Sequence, residues 1–399
     1  MFSPRSTMPW PLVALFTAGY LAPYLLPTTV GRLDAYLPLS PTQAGAIGSA
    51  LLLSSAAAGF LLASRVDRVG ARALARTGLA LAALGYGTAA LTTSLYAVIA
   101  GAVLGGFGSG TATTVAATGI AGRPDPHRTT TLGLLSVSAL AGAVYLTVPH
   151  LGPGHGLPLA ALALTAAAVW PLTATLPGRD AHVTTAVVTT PTPRSPLPRP
   201  RAGMVLAVTM TCWSLAQNSL WGVSGRIGLT QAGLSEATVG AVFAIALGAG
   251  LLGVVGAGAL GTRLGRALPI GAGTAVIAAC IVLSASATDL TSFAAGEIAW
   301  NTLYPIVLSY VIGLAAALDP RGRWAVLVGS ASSLGTACGP LTGSLLSAHT
   351  GYPAMGAVLA AGLLLIAVPM TAVALRTPSP SRALRLTTVK ATEQYRPVA

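Results

Sequence analysis

Along this chain, apolar runs of about twenty residues alternate with short polar breaks, which is the length a helix needs to cross a bilayer. The runs fall at 10–31, 42–63, 77–94, 97–120, 131–150, 157–177, 203–224, 237–260, 267–287, 291–317, 324–347 and 353–375. They are too long for strands, and a barrel would show alternation in segments of about ten residues instead. The pattern predicts an all-α polytopic membrane protein with twelve transmembrane helices.

Between the sixth and seventh runs the pattern stops. The stretch from Pro177 to Arg201 holds six prolines and four arginines and cannot form a membrane helix. It divides the chain into an N-terminal six-helix bundle (1–177), a linker (178–202), a C-terminal six-helix bundle (203–376) and a tail (377–399). The halves are related: Leu39-Ser40-Pro41-Thr42-Gln43-Ala44-Gly45 reappears as Leu234-Ser235-Glu236-Ala237-Thr238-Val239-Gly240, an offset of 195. Gly31-Arg32 recurs as Gly225-Arg226, and Asp67-Arg68-Val69-Gly70 aligns with Thr262-Arg263-Leu264-Gly265. Landmarks at offsets of 194 and 195 point to duplication and pseudo-symmetric bundles. The first run has a counterpart after the midpoint, so it reads as part of the fold rather than a signal peptide.

Composition agrees with lipid as the solvent: 53% of residues are hydrophobic and 8% charged, against about 25% charged in soluble domains. The net charge of +13 would suit a nucleic-acid partner if the cations shared a patch. They do not. With the N-terminus in the cytoplasm, 20 of the 22 cations fall on the cytoplasmic side, leaving Arg32 and Arg226 opposite. This positive-inside split predicts a multi-pass protein of the cell (inner) membrane with both termini cytoplasmic, and no nucleic-acid role. Cys212, Cys280 and Cys338 lie in apolar runs and read as small buried hydrophobes. No metal or cofactor is expected. The sole lysine, Lys390, is in the tail, and the Gly105–Gly110 cluster has no strand before it, so a nucleotide loop is not read there.

After the second run, Ala63-Ser64-Arg65-Val66-Asp67-Arg68-Val69-Gly70-Ala71-Arg72 resembles the G-x-x-x-D-R-x-G-R-R signature of the major facilitator superfamily, departing at Ala63 and Ala71. The second-half copy, Gly258 to Arg266, keeps the glycine and has Thr262 for the acid. The resemblance implies the superfamily's two-bundle fold and a cytoplasmic gate of Asp67, Arg68, Gly70, Arg72, Arg263 and Arg266, the acid facing the start of the eleventh helix near Arg323 and Trp324. Read physically, Gly70 permits a tight turn and the charges form a cluster at the membrane surface. A second likeness, Gly335-Thr336-Ala337-Cys338-Gly339-Pro340-Leu341-Thr342-Gly343, fits the G-x-x-x-G-P-x-x-G pattern of the superfamily's drug antiporters, but on the eleventh helix instead of the fifth. Close helix packing and a kink at Gly339 and Pro340 account for it as well. The fourth-helix arginine of many proton-coupled members is absent; Gly101 stands at its place.

Of nine acidic residues, Glu297 alone sits well inside a span. A carboxylate there costs about 2.5–3.5 kcal/mol unless paired, solvated or protonated. It is the expected proton-coupling or cation-binding residue, with a structural hydrogen bond as the other reading. Trp300, Asn301 and Tyr304 follow it on one helical face. The seventh run offers Trp213, Gln217 and Asn218, and the first offers Tyr20, Tyr24 and Thr28. The resemblance places these helices around the substrate cavity, and interhelical packing is the alternative. Arg32 and Arg226 read as snorkelling cations, anion-steering groups or an outer gate.

The function expected is secondary active transport of a small organic molecule by alternating access, as proton-coupled export of a drug or metabolite. Uptake or facilitated diffusion of a neutral metabolite is the alternative, and a membrane receptor or enzyme a more distant one. The expected partners are the substrate, protons and the bilayer, for a monomer that is not an enzyme.

Overall fold

The computed structural model describes residues 9–177, 196–261, 264–319 and 321–377. Among them every regular element is helical: α1 (Trp10–Tyr24), α2 (Leu26–Tyr36), α3 (Pro41–Leu62), the short α4 (Val66–Val69), α5 (Ala71–Leu91), α6 (Leu95–Ala121), α7 (Pro126–Thr147), α8 (Gly156–Val169), α9 (Pro200–Arg226), α10 (Glu236–Leu260), α11 (Ala267–Ala285), α12 (Leu290–Leu318), α13 (Arg323–Thr350) and α14 (Tyr352–Arg376). Arg263 and most of the predicted linker and tail lie outside the described residues. The linker's final residues belong to α9, which starts at Pro200.

Each apolar run became helix, but the membrane test is narrower than twelve. By length and apolarity, eight described helices can cross a bilayer, or up to nine if α1 and α2 form one span. The helices α5, α9 and α13 do not pass. Polar groups dilute α9 and α13, and many of them face inward: Ser214, Gln217, Ser219, Ser224 and Ser344 are buried. A helix whose polar residues turn toward neighbouring helices can stay in lipid while failing a hydropathy threshold.

The expected single first span is broken, with α1 and α2 meeting at 49°. Pro27 has no N–H, so the carbonyl of Pro23, one turn earlier, loses its helical partner. Trp221 of α9 donates its indole N–H to that oxygen at 3.0 Å, and Tyr145 of α7 donates its hydroxyl to the Tyr24 carbonyl at 2.6 Å. The break therefore supplies acceptors that other helices dock on.

The duplication read from sequence is matched in local structure. Ser40 caps α3 by accepting from the Gln43 amide, and Ser235 caps α10 by accepting from the Thr238 amide. These side chains satisfy amides that the first turn leaves without partners. Packing repeats as well. α1 packs on α6, α7 and α8 as α9 packs on α12, α13 and α14. α6 also takes α3 and α5 as α12 takes α10 and α11, and α5 meets α8 as α11 meets α14. Between the two chain halves, α3 lies on α13, α7 on α10 and α2 on α9.

Close approach at α9 and α13 depends on the glycines of the second sequence likeness. A Cβ at Gly335 would strike the Thr211 carbonyl, and one at Gly343 the Ser219 carbonyl. Pro340 lies inside α13, which continues past it, and abuts Gly222 of α9 and Gly48 of α3. The Gly339-Pro340 pair thus sits where three helices meet.

Candidate functional site

Polar contacts between the chain halves gather at one end, here called the Arg32 end. Arg32 on α2 is 3% exposed and meets Glu236, the first residue of α10, through two N–H groups at 2.5 and 2.9 Å. Its remaining donors reach the carbonyls of Val148, Gly152 and Gly154 at 2.9–3.2 Å. Its repeat mate Arg226, 4% exposed, stands 3.7 Å from Asp34 of α2 and donates to Ser344 at 2.7 Å. Nearby, the Leu341 amide donates to Ser49 across the α3–α13 contact at 2.9 Å. A cavity of about 260 Å³ adjoins these residues, bordered by Thr28, Arg32, Tyr145, Glu236 and Phe243. Both arginines are therefore buried and face acids of the other chain half.

The opposite, Asp67 end differs. Gly70 takes a φ of 97°, which makes the turn into α5. Arg72 donates to the Leu176 carbonyl at 2.9 Å, and Arg76 to Thr173 at 3.2 Å, so both hold the segment after α8 in their own half. Asp67 and Arg68 are exposed and make no ion pair among the described residues. Arg323, near which the resemblance set Asp67, is engaged by Asp319 at 2.7 Å. This bond from Arg323 holds the Asp319 carboxyl below the usual carboxylate range. Arg266 is half-buried, and one of its guanidinium nitrogens has no partner among the described residues.

Glu297 lies in the second turn of α12 and is fully buried. Its Oε1 accepts from Ser224 of α9 at 2.8 Å and from Ser284 of α11 at 2.5 Å. Its Oε2 has no partner among the described residues. Three helices of the second half thus converge on one carboxyl. Sequence reading missed both serines, which lie 73 and 13 positions away. A polar side chain had been one of the partners expected.

The aromatic residues form two groups. Trp213 stacks on Tyr304 at 5.1 Å, Trp300 is 6.1 Å from Tyr304, and the Trp300 indole donates to Gln217 at 2.9 Å. Trp213, Gln217 and Trp300 are buried, so they back the half-buried Asn218, Asn301 and Tyr304 rather than facing open space. Asn218 donates to Thr336 of α13 at 3.2 Å, and Asn301 to the Glu297 carbonyl at 3.0 Å. On α1, Tyr20 is 40% exposed, stacks on Phe16 at 5.1 Å and sits edge-on to Tyr24 at 6.3 Å. Thr28 leaves this group, because the break carries it onto α2 and to the cavity at the Arg32 end.

Among the described residues no cluster of His, Cys, Asp and Glu could hold a metal ion. The arrangement offers instead a buried carboxyl beside an aromatic and amide-lined region, together with charge pairs between the chain halves at one end.

The fold matches that of solved transporters. The human organic anion transporter MFSD10 (TETRAN) shares 17% identity at a TM-score of 0.67, over 92% of this chain and all (100%) of that one. The D-xylose-proton symporter gives 16% and 0.71, over 91% and 96% of the two chains. A mutant of the nucleoside transporter NupG gives 14% and 0.71, over 92% and 100%. At these identities the likeness establishes the fold. No curated protein sequence matches the chain significantly. The family profile described as Major Facilitator Superfamily matches residues 6–318, and this multi-pass membrane transporter belongs to that superfamily.

Proposed function

We propose that the protein exports a small organic molecule in exchange for protons, by alternating access between two six-helix bundles, 1–177 and 203–376. The bundles flank a linker at 178–202 and carry a tail at 377–399, and α5, α9 and α13 complete a set of twelve spans. The charge split supports cytoplasmic termini in an inner membrane, which makes the Arg32 end the outer one. The conformer described is then closed outside, with the Asp67 cluster released inside.

The observation that carries this reading is Glu297. Its burial with one oxygen unpartnered leaves an ionised carboxyl poorly satisfied. A protonated one loses that penalty, and the two serine hydroxyls can serve either form. A group with two stable forms in a two-state carrier can couple proton movement to the conformational change. The aromatic faces of Tyr20, Tyr24 and Tyr304 suit an amphipathic or cationic substrate. The neutral amides Asn218 and Asn301 favour the second reading, uptake of an uncharged metabolite. The D-xylose and nucleoside carriers share this fold.

Proteoliposomes test the coupling. Glu297→Gln should abolish flux driven by a pH gradient while substrate exchange at equal pH persists. Full gradient dependence in the variant would refute the assignment.

A further inference from the structure

A second opening lies at the Asp67 end, apart from the aromatic region and the gate. It has a volume of about 490 Å³ and forms where α9 begins and α12 and α14 end. Its floor is apolar, made by Val205, Leu318 and Val373, and its rim holds Arg199, Arg201 and Arg376. No acid lines it. The nearest acid in sequence, Asp319, is taken by Arg323. None of the three arginine side chains has a hydrogen-bond or ion-pair partner among the described residues.

The placement is electrostatically costly without an anion. Arg199 and Arg201 stand at the start of a 27-residue helix, whose macrodipole already presents positive charge there. Pro200 occupies the first turn, and no side chain caps its amides. Arg199 is also the one non-glycine residue with positive φ among the described residues, at 50°. A left-handed backbone costs an ordinary residue of order 1 kcal/mol. Three cations and a helix start converge on one apolar-floored opening.

We propose that this groove binds the headgroup of an anionic phospholipid, with the phosphate between the three arginines and the start of an acyl chain on the Val205, Leu318 and Val373 floor. Charge complementarity selects the occupant. The adjoining sequence does not suit it: stretches 178–195 and 378–399 carry six cations (Arg179, Arg194, Arg382, Arg385, Lys390 and Arg396) against Asp180 and Glu393. A free phosphate shares the anionic chemistry but gains nothing from the apolar floor. Basic pockets between membrane helices on the cytoplasmic side are where such headgroups are held.

Native mass spectrometry of the delipidated full chain tests this, using phosphatidylglycerol, phosphatidylcholine with the same acyl chains, and inorganic phosphate. The wild type should bind one phosphatidylglycerol at least about tenfold more tightly than phosphatidylcholine, each arginine contributing about fivefold near an anionic group. The triple variant Arg199→Gln, Arg201→Gln, Arg376→Gln should lose that preference. A control, Arg65→Gln, Arg123→Gln, Arg128→Gln, removes the same charge at the same end and should keep it. If the triple variant does not fold, Arg376→Gln alone should weaken phosphatidylglycerol about fivefold. Equal binding of the two lipids by wild type, an unchanged preference in the arginine variants, or an equal loss in the control overturns the site. Displacement of phosphatidylglycerol by millimolar phosphate identifies a free-anion site and overturns the lipid assignment.

Discussion

The Arg32 end and the Asp67 end are built from the same materials, arginines and acids at helix termini, and they end in opposite states. At the first, two arginines are almost wholly buried and meet acids of the other chain half. At the second, Asp67 and Arg68 are exposed, and Arg72 and Arg76 bind within their own half. The difference teaches that charge count does not set the strength of a closure. Exposed ion pairs contribute about 0–1 kcal/mol, whereas losing one partner of a buried pair leaves a charge with nowhere to go.

That contrast is broken most directly at Glu236. Glu236→Ala strands the Arg32 guanidinium, 3% exposed, with carbonyl partners alone. The expected cost to the closed Arg32 end is about 2–4 kcal/mol, below the fully buried limit because Glu236 is itself partly exposed. Thr28 borders the same cavity and lies one turn before Arg32 on α2, on the side of the charge pairs that faces the middle of the molecule. In a Thr28→Cys background without the three native cysteines, labelling by a membrane-impermeant maleimide should rise at least about tenfold on Glu236→Ala. An unchanged rate would mean that the pair does not hold the gate.

The second test asks whether the closure also needs helix contact. Gly343 of α13 lies against the Ser219 carbonyl of α9, near the α3–α13 junction. Gly343→Ala must push the two helices apart, at a cost of about 1–3 kcal/mol typical of overpacking. The melting temperature of the purified protein should fall by several degrees, with little change in maleimide labelling. Increased labelling with no loss of stability would show that α9–α13 packing serves the gate rather than the bundle.

Helix positions were legible from sequence because lipid demands long apolar runs, whose ends are marked by Ser40, Ser235 and similar caps. The break between α1 and α2 was less so. Pro23 and Pro27 were in plain view, but a proline inside a membrane helix bends or does not according to what takes the freed carbonyl, here Trp221, 198 residues away. Glu297 stood out by its cost in lipid, while Ser224 and Ser284 did not, since serines are common in packed membrane helices. Asp34 and Glu236 read as loop charges because they lie just outside the apolar runs. A residue's desolvation depends on the element opposite, and only the fold supplies that. The matching Gly-Arg pairs at 31–32 and 225–226 were the available signal, and it named the cations without their partners.

The smallest effect expected separates those two matching arginines. Arg32 has all its donors engaged, but Arg226 has an Nε with no partner among the described residues and meets Asp34 at 3.7 Å, beyond hydrogen-bond length. Asp34 is 20% exposed through its side chain, so water screens the pair, and Ser344 keeps part of the guanidinium satisfied without it. Asp34→Asn removes the charge and keeps a hydrogen-bonding group of the same shape. It should cost the closed end less than about 1 kcal/mol, a change of fivefold or less in maleimide labelling at Thr28→Cys. Labelling that rises as far as in Glu236→Ala would show that the repeat-related arginines bear the gate equally, and that the better-bonded Arg32 pair holds no special share of it.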